Sequence, residues 1–494
     1  MAFANADVGN VTLREFLRGF VIIGVLYLIS GTTADPDLWG HVRFGQDMLA
    51  QGGVRLADTY SFTADRSWIN HEWLAEILFG AAFNLAGVTG LNLLRIFVVG
   101  GVLALVWSAS RSLPEPRRMM MLVAGVLGIY MRSHAIRPQL FSLLMFAILL
   151  AVLKRADDGR SLRPILWVPV VMAAWVNLHG GWIVGLGFFG LWCAHNSLQG
   201  PWPRRLALAV ALSAALGATL LNPYGVGMWD FLAATVRLER PMITEWQPLH
   251  QRPFAVWMSW LVALGVWAIG AARARSRADW INVGIVAGLG AAAQRVSRLD
   301  AFFALAAIFV TIAIAQREKA PEQKHVFQPR PSRVLAATLA VSVLITAFVL
   351  VPRARSIPAL GVHLPDSEVS AYVRDRKLQG NVLTWFTWGE YFIWHFGPDL
   401  KVSMDGRRET VYGPELIDAH LQFYFGSSDE WRYADTLKAD YVWIPKRLPV
   451  ARALQLHGWR TLCSGESSIL LTRQPDKRPC VPRAPLPTRS FPQL

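Results

Sequence analysis

Acidic, basic and amide side chains cluster in the segment that follows the first apolar stretch. Residues 34–53 read ADPDLWGHVRFGQDMLAQGG, and residues 61–73 read SFTADRSWINHEW. The candidates in this segment are Asp35, Asp37, His41, Asn70, His71 and Glu72. A carboxylate can take the proton of an attacking hydroxyl or amide, and a histidine can position a substrate. The segment therefore has the side chains that general-base catalysis requires.

Cations and one further acid recur in four later segments between apolar stretches. These read MRSHAIRPQ (131–139), WVNLHGGW (175–182), MITEWQP (242–248) and QRVSRLD (294–300). Their candidates are Arg132, His134, Arg137, His179, Glu245, Arg295 and Arg298. Guanidinium groups present a planar fork that fits phosphate oxygens, so these segments could bind an anionic group.

Each residue alone also has a purely structural explanation. A single His or Asn near a membrane helix is more often a cap or an interhelical hydrogen bond, and Asp35–Pro36 could simply begin a helix. Arg295 and Arg298 could contact lipid phosphate. Ionisable groups near a membrane boundary are costly, so their concentration on one face favours a polar cavity.

The composition is that of a membrane protein with a soluble part. Of the 494 residues, 53% are hydrophobic and 17% are charged, whereas soluble domains have roughly a quarter charged residues. The 21 Trp fit membrane–water interfaces. The net charge of +15 could indicate nucleic acid, but the basic residues lie in short loops between apolar segments, so no nucleic acid partner is expected.

About eleven apolar stretches are candidate membrane-spanning helices, because a bilayer core needs about 20 apolar residues. They are 16–33, 90–110, 119–131, 140–153, 165–176, 182–200, 206–221, 253–270, 281–294, 301–315 and 333–351. The apolar stretch 73–86 is interpreted as a helix on the outer surface, within a large first outer loop (34–89).

Arg and Lys accumulate in the loops that face the N-terminal side of the membrane. By the positive-inside rule the N-terminus is cytoplasmic, and an odd number of spans places the C-terminal part outside. We therefore predict a multi-pass protein of a bacterial inner membrane, with the polar candidate segments and a periplasmic domain on one face.

Residues 352–480 are predicted to form that periplasmic α/β domain, after a transmembrane domain over 1–351. NVLTWF (381–386), KVSMD (401–405), YVWIP (441–445) and SSILLT (467–472) are typical of strands, and helices are expected near 366–378, 414–425 and 447–457. The Pro- and Arg-rich residues 481–494 are expected to be a tail. Cys463 and Cys480 could form a disulfide if the domain is outside, and this is left open.

Three of these segments resemble a known family, the GT-C glycosyltransferases. The segment DPDLWGHVRFGQDMLAQGG after the first span is similar to the first outer loop of the protein O-mannosyltransferases, the aminoarabinose lipid A transferases and the catalytic subunit of oligosaccharyltransferase. MITEWQP resembles an outer-loop motif that ends in a functional Glu. TWFTWGEYFIW followed by KVSMDGR resembles a Trp-rich acceptor-binding segment. The second outer loop, MRSHAIRPQ, departs from the pattern because it lacks a carboxylate.

The resemblance implies an α-helical, polytopic GT-C-like enzyme that transfers a hexosyl or pentosyl group. The donor would be a sugar linked to a polyprenyl phosphate, and the acceptor a glycan, lipid or protein on the periplasmic face. Transfer would invert the anomeric configuration, with Asp37 as base and Asp35 as the second candidate. Arg295 and Arg298 are the first choice for the leaving phosphate, followed by Arg132 and Arg137.

The remaining candidates would hold the acceptor or a metal ion. They are His41, Asn70, His71, Glu72, His134, His179, Trp388, Glu390 and Tyr391. Glu245 could assist acceptor binding, or could hold a divalent cation (Mg or Mn) with Asp37. No cofactor is certain from the sequence. Trp388 and Tyr391 could instead belong to the core of the C-terminal domain.

Two other functions remain open at this point. One is a transporter or flippase for a lipid-linked or polar solute, although such proteins place their sites near the bilayer midplane and often contain repeats. The other is a non-catalytic scaffold in the assembly of envelope polysaccharide, in which side chains would fill the outer cavity.

Overall fold

The computed structural model describes residues 12–198, 200–237, 243–317, 332–361, 364–474, 480 and 489–493. Helices make up the first part of the chain. They are α1 (Leu13–Ser30), α2 (Leu38–Gln51), α3 (Trp73–Ala109), α4 (Glu115–Ser133), α5 (Gln139–Asp158), α6 (Val168–Trp175), α7 (Trp182–Leu198), α8 (Trp202–Ala218), α9 (Gly227–Arg237), α10 (Phe254–Arg273), α11 (Arg277–Arg295), α12 (Asp300–Arg317) and α13 (Arg333–Ala354).

Every predicted span overlaps one of these helices. Within the described ranges, five helical segments are long and apolar enough to cross a membrane. They are Trp73–Ala109, Gln139–Asp158, Phe254–Arg273, Ser297–Arg317 and Arg333–Ala354. The multi-helical membrane architecture predicted from the sequence is thus confirmed, while the total of eleven spans stays a prediction.

Helix α3 changes direction where the surface helix was expected to end. Its backbone leaves the helical region at Ala86 and at Gly87, whose φ is +57°. A positive φ is readily adopted only by glycine, so the sequence allows the turn at this position. The first half of α3 packs on α2 so closely that an added Cβ at Gly45 would lie 1.8 Å from the carbonyl oxygen of Glu76.

The C-terminal part is a mixed α/β domain, as predicted. Its strands are β1 (Ile357–Pro358), β2 (Gly380–Thr384), β3 (Leu400–Val402), β4 (Tyr441–Pro445), β5 (Arg460–Ser464), β6 (Ser468–Thr472) and β7 (Ser490–Phe491). Its helices are α14 (Ser367–Asp375), α15 (Gly389–Phe396), α16 (Pro414–Phe425), α17 (Arg432–Thr436) and α18 (Pro449–Leu456).

Five strands form one sheet in the order β3-β2-β4-β6-β5. Strand β2 is parallel to both β3 and β4, whereas β6 is antiparallel to β4 and β5. The predicted strand 381–386 ends at Thr384, because Phe386–Trp388 form a 3-10 turn that leads into α15. Helix α15 itself was not predicted.

The end of the chain packs against the start of the domain instead of ending as a free tail. Strand β7 pairs antiparallel with β1, and Phe491 is 1% exposed. Residues 481–488 of the predicted tail lie outside the described residues. Cys463 and Cys480 form a disulfide, which resolves the pairing that the sequence left open.

An ion pair joins the first outer loop to this domain. The Arg407 guanidinium donates to Asp58 Oδ1 at 2.6 Å and to Asp405 Oδ2 at 2.6 Å, and all three side chains are nearly inaccessible. Tyr412 donates to the same Asp405 oxygen at 2.9 Å. Arg407 also lies 4.7 Å from the centre of the Trp68 ring, an arrangement that favours a cation.

Candidate functional site

One cavity collects most of the candidate residues from six parts of the chain. It has a volume of about 230 Å³ and lies between the first loop, the segments after α4 and α6, the segment between α9 and α10, the segment before α12 and the C-terminal domain. Its predicted lining residues are Asp37, His41, Asn70, His71, Glu72, Arg137, His179, Glu245, Arg298 and Glu390. The structure therefore brings together acids, bases and cations that are up to 353 positions apart in the sequence (Asp37 to Glu390).

Asp37 is the carboxylate in this cavity that is best placed to accept a proton. It precedes the first turn of α2, and its side chain accepts no cap hydrogen bond. No described cation lies within ion-pair distance of it. Burial and the neighbouring charge of Asp35 raise the pKa of Asp37 to about 7. A base whose pKa lies near neutral pH suits general-base catalysis.

Asp35 has a different role because it is already paired. Its carboxylate forms an ion pair with Arg137, and it accepts a hydrogen bond from the Asp37 backbone N–H at 3.1 Å. These contacts fix the short turn that presents Asp37 to the cavity. Asp35 is therefore placed to position Asp37 and is less suited to act as the base.

The carboxylate of Glu245 forms ion pairs with arginines and does not form a cluster with Asp37. Its Oε1 lies 2.8 Å from Arg137 Nη1 and 3.2 Å from Arg132 Nη1. Burial alone would raise the pKa of Glu245, but Arg137, Arg132 and Arg298 lower it to about 2. The side chain is thus a carboxylate at neutral pH, and the cluster with metal-ligand spacing found among the described residues does not include Asp37 or Glu245, so that metal pair stays a prediction.

Arg298 is the cation in the cavity with the most freedom to bind an anion. It lies in the 3-10 turn Ser297–Leu299 before α12. Its Nη2 is 3.3 Å from His179 Nε2, and its guanidinium lies 4.9 Å from the centre of the Trp246 ring. Among the described residues, no carboxylate lies within ion-pair distance of Arg298. Arg132, by contrast, is bound to Asp300 at 2.8 Å.

Three side chains beside Asp37 form a set with metal-ligand character. The candidate ligand atoms of His41, Glu72 and Glu76 lie within 4.8 Å of one another. Glu76 is already engaged, because its carboxylate lies 3.1 Å from His41 Nδ1 and accepts from Asn70 Nδ2 at 2.5 Å. One imidazole and two carboxylates would suit Mn²⁺ better than Mg²⁺, which prefers oxygen ligands alone.

His41 and His179 differ in charge because their neighbours differ. Burial alone would lower the pKa of His41, but the hydrogen bond to Glu76 and the charges of Glu72 and Glu76 raise it to about 9. Burial lowers the pKa of His179 to about 3 despite the charge of Glu72. At neutral pH, His41 is therefore a cation and His179 is a neutral hydrogen-bonding group.

Glu390 brings a second carboxyl group to Asp37 from the C-terminal domain. An added Cβ at Gly406 would lie 2.2 Å from Asp37 Oδ1 and 2.9 Å from Glu390 Oε1, so both groups border the same glycine. Glu390 is buried, and its Oε2 has no hydrogen-bond partner among the described residues. Burial and the charges of Asp37 and Asp405 raise the pKa of Glu390 well above its usual value.

Six candidate residues do not line this cavity. Two of them, Asp35 and Arg132, contact lining residues through ion pairs with Arg137 and Glu245. Arg295 is exposed at the end of α11, and His134 lines a different cavity beside α1 and α13. Trp388 and Tyr391 are 3% and 1% exposed and belong to the hydrophobic core of the domain, which was the alternative interpretation of both. Burial of apolar area explains these two residues without a substrate.

The sequence did not single out several residues of the cavity. Glu76 follows Glu72 by one helical turn and could have been found from that spacing. Arg408 and Glu409 line the cavity only because of tertiary packing. Trp246 also lines it, although the sequence pattern pointed only to its neighbour Glu245. No local sequence pattern identifies Arg408, which follows Asp405-Gly406-Arg407, as part of the site.

Comparisons with known proteins identify the fold but not a sequence family. No protein-family model matches the chain, and a comparison with curated proteins gives no significant match. Two crystal structures of ArnT from Cupriavidus metallidurans match at 11% sequence identity over 94% of this chain and 99% of theirs. The TM-score is 0.50 for ArnT in the apo state and 0.49 for ArnT bound to undecaprenyl phosphate.

At 11% sequence identity, the structural similarity to ArnT establishes the fold of this chain and nothing further. ArnT is one of the GT-C aminoarabinose transferases to which the first-loop resemblance pointed, so that resemblance is confirmed at the level of the fold. The chain is a mostly helical, multi-pass membrane protein with an ArnT-like fold and a C-terminal mixed α/β region.

Proposed function

We propose that this chain is a membrane glycosyltransferase that moves a sugar from a polyprenyl-phosphate donor to an acceptor on the outer face of the inner membrane. One observation carries the proposal: Asp37, which has no ion-pair partner among the described residues, and Arg298, which has no carboxylate partner there, line the same cavity. A transfer from a phosphate leaving group needs both a proton acceptor and a cation.

The proposed step forms one bond and breaks another at the anomeric carbon. An acceptor hydroxyl or amide attacks this carbon and loses its proton to the Asp37 carboxylate. The bond between the anomeric carbon and the phosphate oxygen breaks, and the electron pair leaves with the phosphate. Attack from the side opposite the phosphate inverts the configuration.

Arg298 is the proposed partner of the leaving phosphate. Charge grows on the phosphate oxygen as the bond breaks, and a guanidinium in a partly dry site stabilises that charge more than water does. Neutral His179, which lies next to Arg298, can donate one further hydrogen bond. Arg137 forms ion pairs with Asp35 and Glu245. It therefore adds positive charge to the cavity, but Arg298 and not Arg137 is the proposed direct contact of the phosphate.

Glu390 is the proposed contact between the C-terminal domain and the acceptor. Burial and the charges of Asp37 and Asp405 raise the pKa of Glu390 and so favour its protonated form, which can donate a hydrogen bond from the buried carboxyl that borders Asp37. A protonated Glu390 allows Asp37 to stay negatively charged, whereas an ionised Glu390 so close by would disfavour the charge on Asp37. A divalent cation at His41, Glu72 and Glu76 remains a separate proposal.

The cavity itself argues against the scaffold alternative. A scaffold that has lost activity was expected to have its outer cavity filled by side chains, whereas this cavity retains a volume of about 230 Å³. Its polar groups also belong to segments at the ends of helices, whereas a transporter site would lie along the middle of the spans.

The test is transfer from labelled undecaprenyl-phosphate sugars by membranes that contain the full chain. We expect Asp37→Asn to reduce transfer by at least about 100-fold, because general-base catalysis typically contributes that much. Arg298→Gln should also weaken retention of undecaprenyl phosphate. Asp429→Asn, which changes an exposed carboxylate of the C-terminal domain, is the matched control and should transfer at the wild-type rate.

Transfer at the wild-type rate by a folded Asp37→Asn protein would refute the proposed base. Counterflow of a solute by the wild-type protein in proteoliposomes, with no transfer of any sugar, would favour the transporter instead. Folding of each variant is checked by its elution volume in detergent and by its thermal unfolding midpoint.

A further inference from the structure

A second cavity lies apart from the candidate site. It has a volume of about 480 Å³ and is bordered by the ends of α1, α4 and α13, including Tyr27, Thr32, His134 and Arg353. This volume falls within the roughly 300–1,000 Å³ of typical ligand pockets. It shares no lining residue with the cavity that contains Asp37.

The charge around this second cavity is positive and unbalanced. Arg353 donates to Ser30 Oγ at 3.1 Å and to Tyr27 Oη at 3.0 Å, both of them neutral groups. Arg95 is buried nearby and binds the carbonyl oxygens of Ser133 and Ile29. No carboxylate of the described residues lines the cavity. Two arginines without a carboxylate partner among the described residues favour the binding of an anion.

His134 provides an unused polar group at the same place. Its Nδ1 is buried and has no hydrogen-bond partner among the described residues, and its ring lies close to Gly31. Burial and the charges of Arg95 and Arg353 lower the pKa of His134, so the ring is neutral at pH 7. A neutral imidazole and a guanidinium can together donate hydrogen bonds to phosphate oxygens.

Exposed apolar side chains next to the cavity provide a surface for the acyl chains of a lipid. Helix α13 has no buried residue, and Phe348 and Val351 on its last turns are 81% and 52% exposed. Leu26 on α1 is 41% exposed. Arg353 follows these apolar residues at the end of a spanning helix, where arginine reaches headgroup depth.

From these contacts we propose that the cavity between α1, α4 and α13 binds the phosphate group of a membrane lipid. Arg353 and His134 contact the phosphate oxygens, and the acyl chains lie along the exposed faces of α1 and α13. The segments 32–37 and 132–139 contribute to both cavities, so the bound lipid lies next to the turn that carries Asp37.

The test is native mass spectrometry of the full chain in detergent with phosphatidylglycerol as the probe. Diacylglycerol, which has the acyl chains without the phosphate, is the matched ligand control. We expect Arg353→Gln and His134→Ala each to reduce the bound fraction of phosphatidylglycerol about tenfold, because each loses a hydrogen bond to a charged group. Arg111→Gln removes an exposed arginine at the other end of the spans and should bind as wild type does.

The outcomes separate the possible sources of phosphate. Retention of phosphatidylglycerol that Arg353→Gln and His134→Ala leave unchanged, or equal retention of diacylglycerol, would overturn the proposal. Binding of inorganic phosphate without phosphatidylglycerol would identify a soluble anion as the ligand and would overturn it as well. If His134→Ala unfolds, His134→Phe fills the same space without a hydrogen-bond donor and takes its place.

Discussion

At the scale of residues, the site depends on how neighbours change the properties of ordinary side chains. Asp35 and Asp37 are two positions apart, yet one is bound to Arg137 and the other faces the cavity. Sequence alone ranked Asp37 first, and the geometry supports that choice. It could not rank Arg298 above Arg295, because only packing shows that one lies in the cavity and the other is exposed.

The pH dependence of transfer follows from the environment of Asp37. A base must be deprotonated, so kcat/KM should rise with pH through about 7, the pKa to which burial and Asp35 bring this carboxyl. Asp35→Asn removes the negative neighbour and frees Arg137, so the rise should move to lower pH. Steady-state rates from pH 5 to 9 measure both, with Asp429→Asn as the control. A kcat/KM that stays constant from pH 5 to 9 in the wild type would contradict this assignment.

At the scale of elements, close backbone approaches set the positions of the acids. Helix α2 and the first half of α3 meet through Gly45 and Gly80, and this contact places Glu76 against His41. The sequence predicted the surface helix from its apolar residues and gave the exact bounds of β4 and α16. It missed α15 because aromatic residues at 385–394 are equally typical of strands.

Gly406 is a position where the C-terminal domain closely approaches Asp37. Gly406→Ala adds a Cβ that would lie 2.2 Å from Asp37 Oδ1, so the carboxyl must move. We expect transfer to fall about 100-fold, because a shift of roughly 1 Å in a catalytic group can have that effect. The control is Gly53→Ala, which meets no atom within 4 Å.

The measurement for Gly406→Ala is the initial rate of transfer at saturating donor, together with the thermal unfolding midpoint. An unfolding midpoint near the wild-type value with a reduced rate supports the assigned geometry. Equal rates for Gly406→Ala and Gly53→Ala would show that Asp37 does not act from this position.

At the scale of the whole molecule, hydrophobic patterning was sufficient to predict the architecture. Spans, an outer first loop and a C-terminal α/β domain all follow from long apolar stretches and alternating strands and helices. The juxtaposition of Asp37 with Glu390 could not be predicted, because contacts between residues that distant depend on how the domain packs on the membrane part. Sidedness follows from the distribution of Arg and Lys and stays a prediction.

Cysteine labelling of intact cells tests that sidedness. Cys463 and Cys480 are bonded in the C-terminal domain, and Cys193 is buried in α7. In a Cys193→Ser background, the predicted periplasmic position of the domain means that a membrane-impermeant maleimide should label the chain in intact cells, and only after reduction. Labelling that requires permeabilised cells would place the domain in the cytoplasm.

The buried pairing of Arg407 with Asp58 and Asp405 has a consequence for how substrates arrive. Lifting the C-terminal domain off the first loop would break the buried Arg407–Asp58 ion pair, while Arg407 would keep Asp405 as its partner within the domain. This ion pair therefore favours a domain that stays on the first loop, and under the proposed function a long-chain donor would reach the cavity laterally from the bilayer.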